Sequence, residues 1–279
     1  MKKCWIVLSA LVLFAFASCQ KFAGDAVTKN FNLEGAYTEL EVEDAFNVYV
    51  DTAATMVTVT AGENVMPNVV VENVENTLRI YLKGWHTNLG ADMTVILPYN
   101  ANLTSVDLSG ATSFYSEFGL EGDMVEVDLS GSSDFNCDID ADEVKISLSG
   151  ASDFVGDILA DEIDMDLAGS SNLKGYVEAL DLDLKMSGAS EATLVGQVGT
   201  LKVNLTGSSD INKTINGNQY GFACNKCEGS MSGSSNAYIH CDGTIKVNLS
   251  GSSDLHYTGN AATTGCNTSG ASDIYHDVL

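Results

Sequence analysis

From Val125 onward, apolar side chains fall on every second position in short runs. Examples are Val125, Val127, Leu129; Val144, Ile146, Leu148; Ile163, Met165, Leu167; Leu201, Val203, Leu205; and Ile245, Val247, Leu249. A period of two predicts strands with one buried face. These runs lead into a recurring phrase, seen as Asp107-Leu-Ser-Gly-Ala111, Asp128-Leu-Ser-Gly-Ser132 and Asn248-Leu-Ser-Gly-Ser252. Its glycines are Gly110, Gly131, Gly150, Gly169, Gly188, Gly207, Gly233, Gly251 and Gly270, spaced 21, 19, 19, 19, 19, 26, 18 and 19 residues apart. Nine copies near one period are an internal repeat. Glycine takes positive φ without steric cost, so the phrase predicts a turn. An apolar residue four positions later (Phe114, Phe135, Phe154, Leu173, Ile211, Leu255, Ile274) predicts a second, shorter strand in each repeat.

No ten-residue stretch of this region has helical periodicity, which excludes helical repeats, and a propeller blade needs about 40–45 residues. One β-solenoid rung per repeat fits the period of about 19. A single rung is too small to bury its apolar face, so rungs stack at ~4.8 Å and share one core, giving a rod of roughly 40 Å. The expected fold is all-β: a parallel β-helix over residues 101–279, right-handed by expectation, although the pattern itself carries no handedness. Residues 29–100 read as longer strands with polar turns. They form either a β-rich cap that shields the first rung from edge pairing or irregular rungs of the same helix.

The start of the chain follows other rules. Lys2 and Lys3 precede a mostly apolar run from Trp5 to Ala17, long enough for a secretory signal and too short to span a bilayer. Small residues Ala17 and Ser18 then precede Cys19, which resembles a lipobox. Residues 1–18 are therefore expected to be a signal peptide, Cys19 the acylated first residue, and residues 19–28 a tether. Stable anchoring needs more than one acyl chain, which a multiply acylated cysteine supplies. Loss of Lys2 and Lys3 from 13 basic residues leaves 11 against 38 acidic ones, a formal charge of −27. Such a balance argues against nucleic acid, whose phosphates require Lys and Arg.

Three groups of residues carry candidate chemistry. Three positions after the glycines stand Asp134, Asp153, Asn172, Glu191, Asp210, Asn236, Asp254 and Asp273. Stacked carboxylates ~4.8 Å apart repel by about 0.9 kcal/mol even in bulk water. Two readings follow. Asp134, Asp153, Asp210, Asp254 and Asp273 form a cation ladder for Ca²⁺, or the column consists of turn residues bonded to nearby backbone. The mixture of Asp and Asn favours the turn. Serines two positions after the glycines, from Ser133 to Ser272, suggest a stacked hydroxyl ladder, since a nucleophile would occur once beside a base. Cys224, Cys227, Cys241 and Cys266 cluster near the 26-residue repeat. Export favours a disulfide from Cys224 or Cys227 to Cys241; buried thiols or a thiolate metal site are the alternatives. His256 and His276, at neighbouring offsets in the last two rungs, could lie together. No cofactor motif or catalytic constellation is readable.

Asp44-Ala-Phe-Asn-Val-Tyr-Val50, Leu78-Arg-Ile-Tyr-Leu82, Val95-Ile-Leu-Pro98 and Leu103-Thr-Ser-Val-Asp-Leu-Ser-Gly110, together with the repeated Ser-Gly-Ser/Ala phrase, carry a resemblance over nearly the whole mature chain. The chain resembles a bacterial family of unknown function described as "putative auto-transporter adhesin, head GIN domain". Members are commonly lipoproteins of Bacteroidetes, which implies an outer-membrane lipoprotein, at the cell surface or on the periplasmic face. The expected function is a non-catalytic β-helical surface for adhesion or glycan binding. Its partners would be the membrane through the lipid anchor and a glycan or a host or envelope protein. Two alternatives stay open: a polysaccharide lyase or hydrolase, because β-helices host both, and a structural spacer of the envelope.

Overall fold

The computed structural model describes residues 24–84, 92–212 and 221–278. Among them the chain is a parallel β-solenoid whose rungs follow the glycine repeat. Each regular rung has a long strand before the Ser-Gly turn and a short one after it, as in Ile139–Leu148 followed by Asp153–Val155. Three rungs run their short strand through a corner into the next long one, as Asn172–Met186, Glu191–Leu205 and Asn236–Leu249.

Register follows the period. Val144 pairs with Ile163, Ile163 with Leu182, Leu182 with Leu201, Leu201 with Cys227 and Cys227 with Ile245, all in parallel. Like residues therefore stack into columns, and the inward columns make one continuous core. Phe114, Phe135 and Phe154 stack at 5.3 and 5.1 Å between ring centroids, with planes 11° and 16° apart. Such pairs add about 0.5–1.5 kcal/mol beyond the area they bury.

The turn glycines have φ near +80°, and each is seated on the one below: a Cβ at Gly150 would lie 2.4 Å from the carbonyl oxygen of Gly131. The serines two positions later are buried. They do not form the expected hydroxyl ladder. Ser133, Ser152, Ser171, Ser190 and Ser209 each donate to the carbonyl three residues earlier in their own rung, at 2.7–2.8 Å. Burial asks each hydroxyl for a partner, and the tight turn offers a carbonyl nearer than the next serine.

Residues 39–98 form two further rungs beneath the Gly110 rung, in an order that differs from the sequence. Strand Glu39–Val42 lies between Ser105–Leu108 and Thr77–Leu82, parallel to both. Phe46–Asp51 lies likewise between Ser113–Tyr115 and Met93–Pro98. Beyond these, Val57–Gly62, Val69–Val74 and Ala26–Phe31 pair antiparallel and close that end. Asp44 occupies the turn position below Gly110 with φ 76°, and its Oδ2 accepts the backbone N–H of Leu82 at 2.7 Å. Arg79 clamps Glu41 with two hydrogen bonds, of 2.8 and 2.7 Å, and ties the two lower rungs together. Among the described residues no helix is long and apolar enough to cross a membrane.

Candidate ligand-binding groove

Between the short strand of one rung and the long strand of the next, the backbone turns a corner. The inward column there holds small side chains: Ala141, Ala160, Ala179, Val198, Cys224 and Cys241, in register from rung to rung. Small residues at a repeated bend leave a trough along the rod axis. From Ala160 to Asp242 it forms a groove of about 520 Å³ with Ala179, Val198 and Cys224 in its lining. Its rim carries Asp161, Glu178, Gln197, Asn225, His240 and Asp242. A second depression of about 390 Å³ shares His240 and continues past Thr258 and Asn260 to His276 and Asp277.

The rim is held by hydrogen bonds within and between rungs. His240 Nδ1 meets Thr258 Oγ1 at 2.9 Å and its Nε2 meets Asp242 Oδ2 at 3.1 Å. The other carboxylate oxygen of Asp242 accepts the backbone N–H of Asn260 at 3.0 Å. That N–H, with His240 behind it, holds the Asp242 carboxyl below its ordinary value. Tyr176 donates to Glu178 at 2.7 Å, which raises the phenol's pKa. Beside His240, Tyr238, His256 and Tyr275 stack with centroids 4.6 and 4.7 Å apart, an aromatic column on the outer face. The groove lining has three carboxylates and no Lys or Arg. It can offer hydrogen bonds to hydroxyls and repels anions.

The residues singled out from sequence fall as follows. Cys19, with the signal segment, lies outside the described residues. Asp134, Asp153, Asp210, Asp254 and Asp273 stand in one outward column with the intervening Asn172, Glu191 and Asn236. Amides separate some of the carboxylates: Asn172 Nδ2 donates to Asp153 and Asn236 Nδ2 to Asp210, each at 2.7 Å. The column bonds across rungs as well as to backbone, and a donated N–H relieves charge as a cation would. Among the described residues no group of three or more His, Cys, Asp or Glu side chains is arranged to hold a metal ion.

Cys224 and Cys241 are direct register partners on neighbouring rungs, whereas Cys227 faces Ile245. All three are buried, and all are free thiols here. Cys137, apart from them, is pushed up to about 12 by burial. His256 and His276 are not brought together. Their one-residue offset puts His256 on Tyr275 and His276 on Tyr257, in adjacent columns that face opposite ways. The groove itself escaped the sequence reading. Its rim column, Glu178, Gln197, Ala223 and His240, repeats no residue type; only counting a fixed offset from each glycine could have found it.

Comparison with known proteins fits this architecture. The family model described as "Putative auto-transporter adhesin, head GIN domain" matches residues 36–176 and 155–261. The chain belongs to this family. Among solved structures, a "putative adhesin" from Parabacteroides distasonis is similar at 20% identity and a TM-score of 0.66, over 90% of this chain and 97% of that one. A "putative adhesin" from Parabacteroides merdae aligns at 17% identity and 0.64, over 90% and 95%. A "putative lipid binding protein" from Parabacteroides distasonis aligns at 19% and 0.60, over 90% and 96%. At these identities the likeness is one of fold. No curated protein matches the chain. As a head GIN domain protein it presents a β-helical surface, and that surface is the place to look for function.

Proposed function

We propose that this head GIN domain protein is a cell-envelope lipoprotein, anchored through Cys19, that holds a neutral, linear glycan along its axial groove without acting on it. The observation that carries the reading is the groove's composition: a small-residue floor over several rungs, rimmed by amides, carboxylates and an imidazole, with no cationic side chain. A hydroxyl-rich chain satisfies such a rim. An acidic polysaccharide, the usual lyase substrate, meets Asp161, Glu178 and Asp242 with repulsion. A lipid, as the description of one similar structure suggests for that protein, would need an enclosed apolar cavity; this groove is open and its rim polar. The lipobox at Cys19 supports outer-membrane placement, and protease shaving of intact cells reads the face.

The test is a panel of neutral and uronic-acid oligosaccharides against the purified mature chain, followed by calorimetry of the hits. Neutral chains are expected to bind, and Gln197→Ala combined with Asn225→Ala to weaken them about tenfold, since each lost hydrogen bond costs about 0.5–1.5 kcal/mol and 1.4 kcal/mol is a factor of ten. Binding confined to uronic-acid chains, or affinity indifferent to both substitutions, sinks the reading.

A further inference from the structure

In the small-residue column of the groove floor, Cys224 and Cys241 stand as Cα partners on adjacent parallel strands, Phe222–Met231 and Asn236–Leu249. Neighbouring strands run about 4.8 Å apart, inside the Cα separation a disulfide tolerates. Both side chains are buried in the same inward column. Of the pair, Cys224 lines the groove, while Cys241 is fully covered. Immediately after the pair the register slips between Cys224 and Lys226, a bulge-like break in the ladder within the 26-residue repeat. A covalent link here would restrain the two rungs where their hydrogen bonding is least regular.

We infer that Cys224 and Cys241 are a disulfide-forming pair that staples these two rungs at the groove floor. The inference rests on the envelope placement proposed above, because a disulfide persists in an oxidising compartment. The oxidant is a thiol–disulfide exchange donor. Cys224, which lines the groove, attacks one donor sulfur and breaks its S–S bond, giving a mixed disulfide and one donor thiol. Cys241 then attacks the Cys224 sulfur, the new S–S bond forms, and the second donor thiol leaves. The two cysteines lose two electrons and two protons, and the donor gains both.

The test has two arms on the full mature chain. Reduced protein is equilibrated in glutathione redox buffer, alkylated and mapped without reduction; separately, chain from cells that export it is quenched with alkylating agent and mapped the same way. A Cys224–Cys241 linked peptide is expected in both, with a rise in Tm on oxidation that Cys241→Ala lacks and Cys227→Ala keeps. No link in redox buffer, or a link of Cys227 to Cys241, overturns the pairing. A link that forms in buffer while the chain from cells stays reduced supports the pairing and overturns the envelope placement.

Discussion

At the residue scale, the fold depends on a turn that only glycine can fill when another rung lies directly beneath it. Gly150 has φ +78°, and an added Cβ would meet the Gly131 carbonyl oxygen at 2.4 Å. Asp44 shows the exception. It sits at the foot of the same column with φ 76°, and with no turn glycine beneath it, its side chain turns to the Leu82 N–H. Gly150→Ala is therefore expected to cost more than the about 1–3 kcal/mol of a strained φ alone, because the ladder must also part. Asp44→Gly should lose only the Leu82 hydrogen bond, about 0.5–1.5 kcal/mol, somewhat more with its charge. Urea denaturation of both variants checks the contrast. Equal midpoints would mean that the close seating of the glycines does not constrain the column.

At the element scale, the least regular rung is held by a side chain. After Ile211 the short strand ends at Asn212, which is buried with φ +56°. Its Oδ1 accepts the Leu194 N–H at 2.7 Å from the rung below, and its Nδ2 reaches the Tyr238 carbonyl at 3.5 Å on the rung above. One amide thus stands in for the strand at that level. Asn212→Gly keeps the backbone conformation and removes the stand-in. The expected cost is about 1–3 kcal/mol for an unsatisfied buried N–H, with faster hydrogen exchange at Leu194 than in the parent. Unchanged exchange at that amide would show that another group satisfies it.

The same scale explains what the sequence made legible. Between Val125 and Leu249 most inward positions of the long strands repeat an apolar type and every Ser-Gly or equivalent turn a glycine, so strand, turn and period all agree. The lower rungs were left open because Asp44 replaces the glycine. Moreover, chain order departs from stacking order: Glu39–Asp51 is inserted between strands that follow it in sequence. The groove was hidden for a related reason. A surface that must differ from rung to rung to recognise something cannot be found by looking for what repeats.

At the scale of the whole molecule, the acidic balance is distributed by the solenoid, which stacks like positions whether or not their charges agree. On the outer face of the long strands, Asp107 pairs with Glu41 below and Asp128 above. Lysines enter the same face from Lys145 on, as Lys185, Lys202, Lys226 and Lys246. Asp107 therefore feels partial burial first and then Asp128, Glu41 and Glu126 on the rungs directly above and below it, all raising its pKa. Its folded value lies above its unfolded one, so the ionised carboxylate opposes folding above the folded pKa. That penalty fades as pH falls and is gone below the unfolded value of 3.8. Glu41 has the opposite sign, held low by its hydrogen bonds with Arg79, so its contribution is present above 4.5 and lost as pH falls through the folded value. Asp107→Asn separates the two. The variant should melt above the parent at pH 7, and the gap should close as pH drops below 3.8 while the Glu41 contribution declines in both proteins alike. High salt should narrow the gap at pH 7 by screening the neighbours, although it leaves the burial part intact. A variant that melts below the parent at pH 7 would mean that Asp107 gains more from its surroundings than it loses to its neighbours, and the stacked acidic face would then be a source of stability.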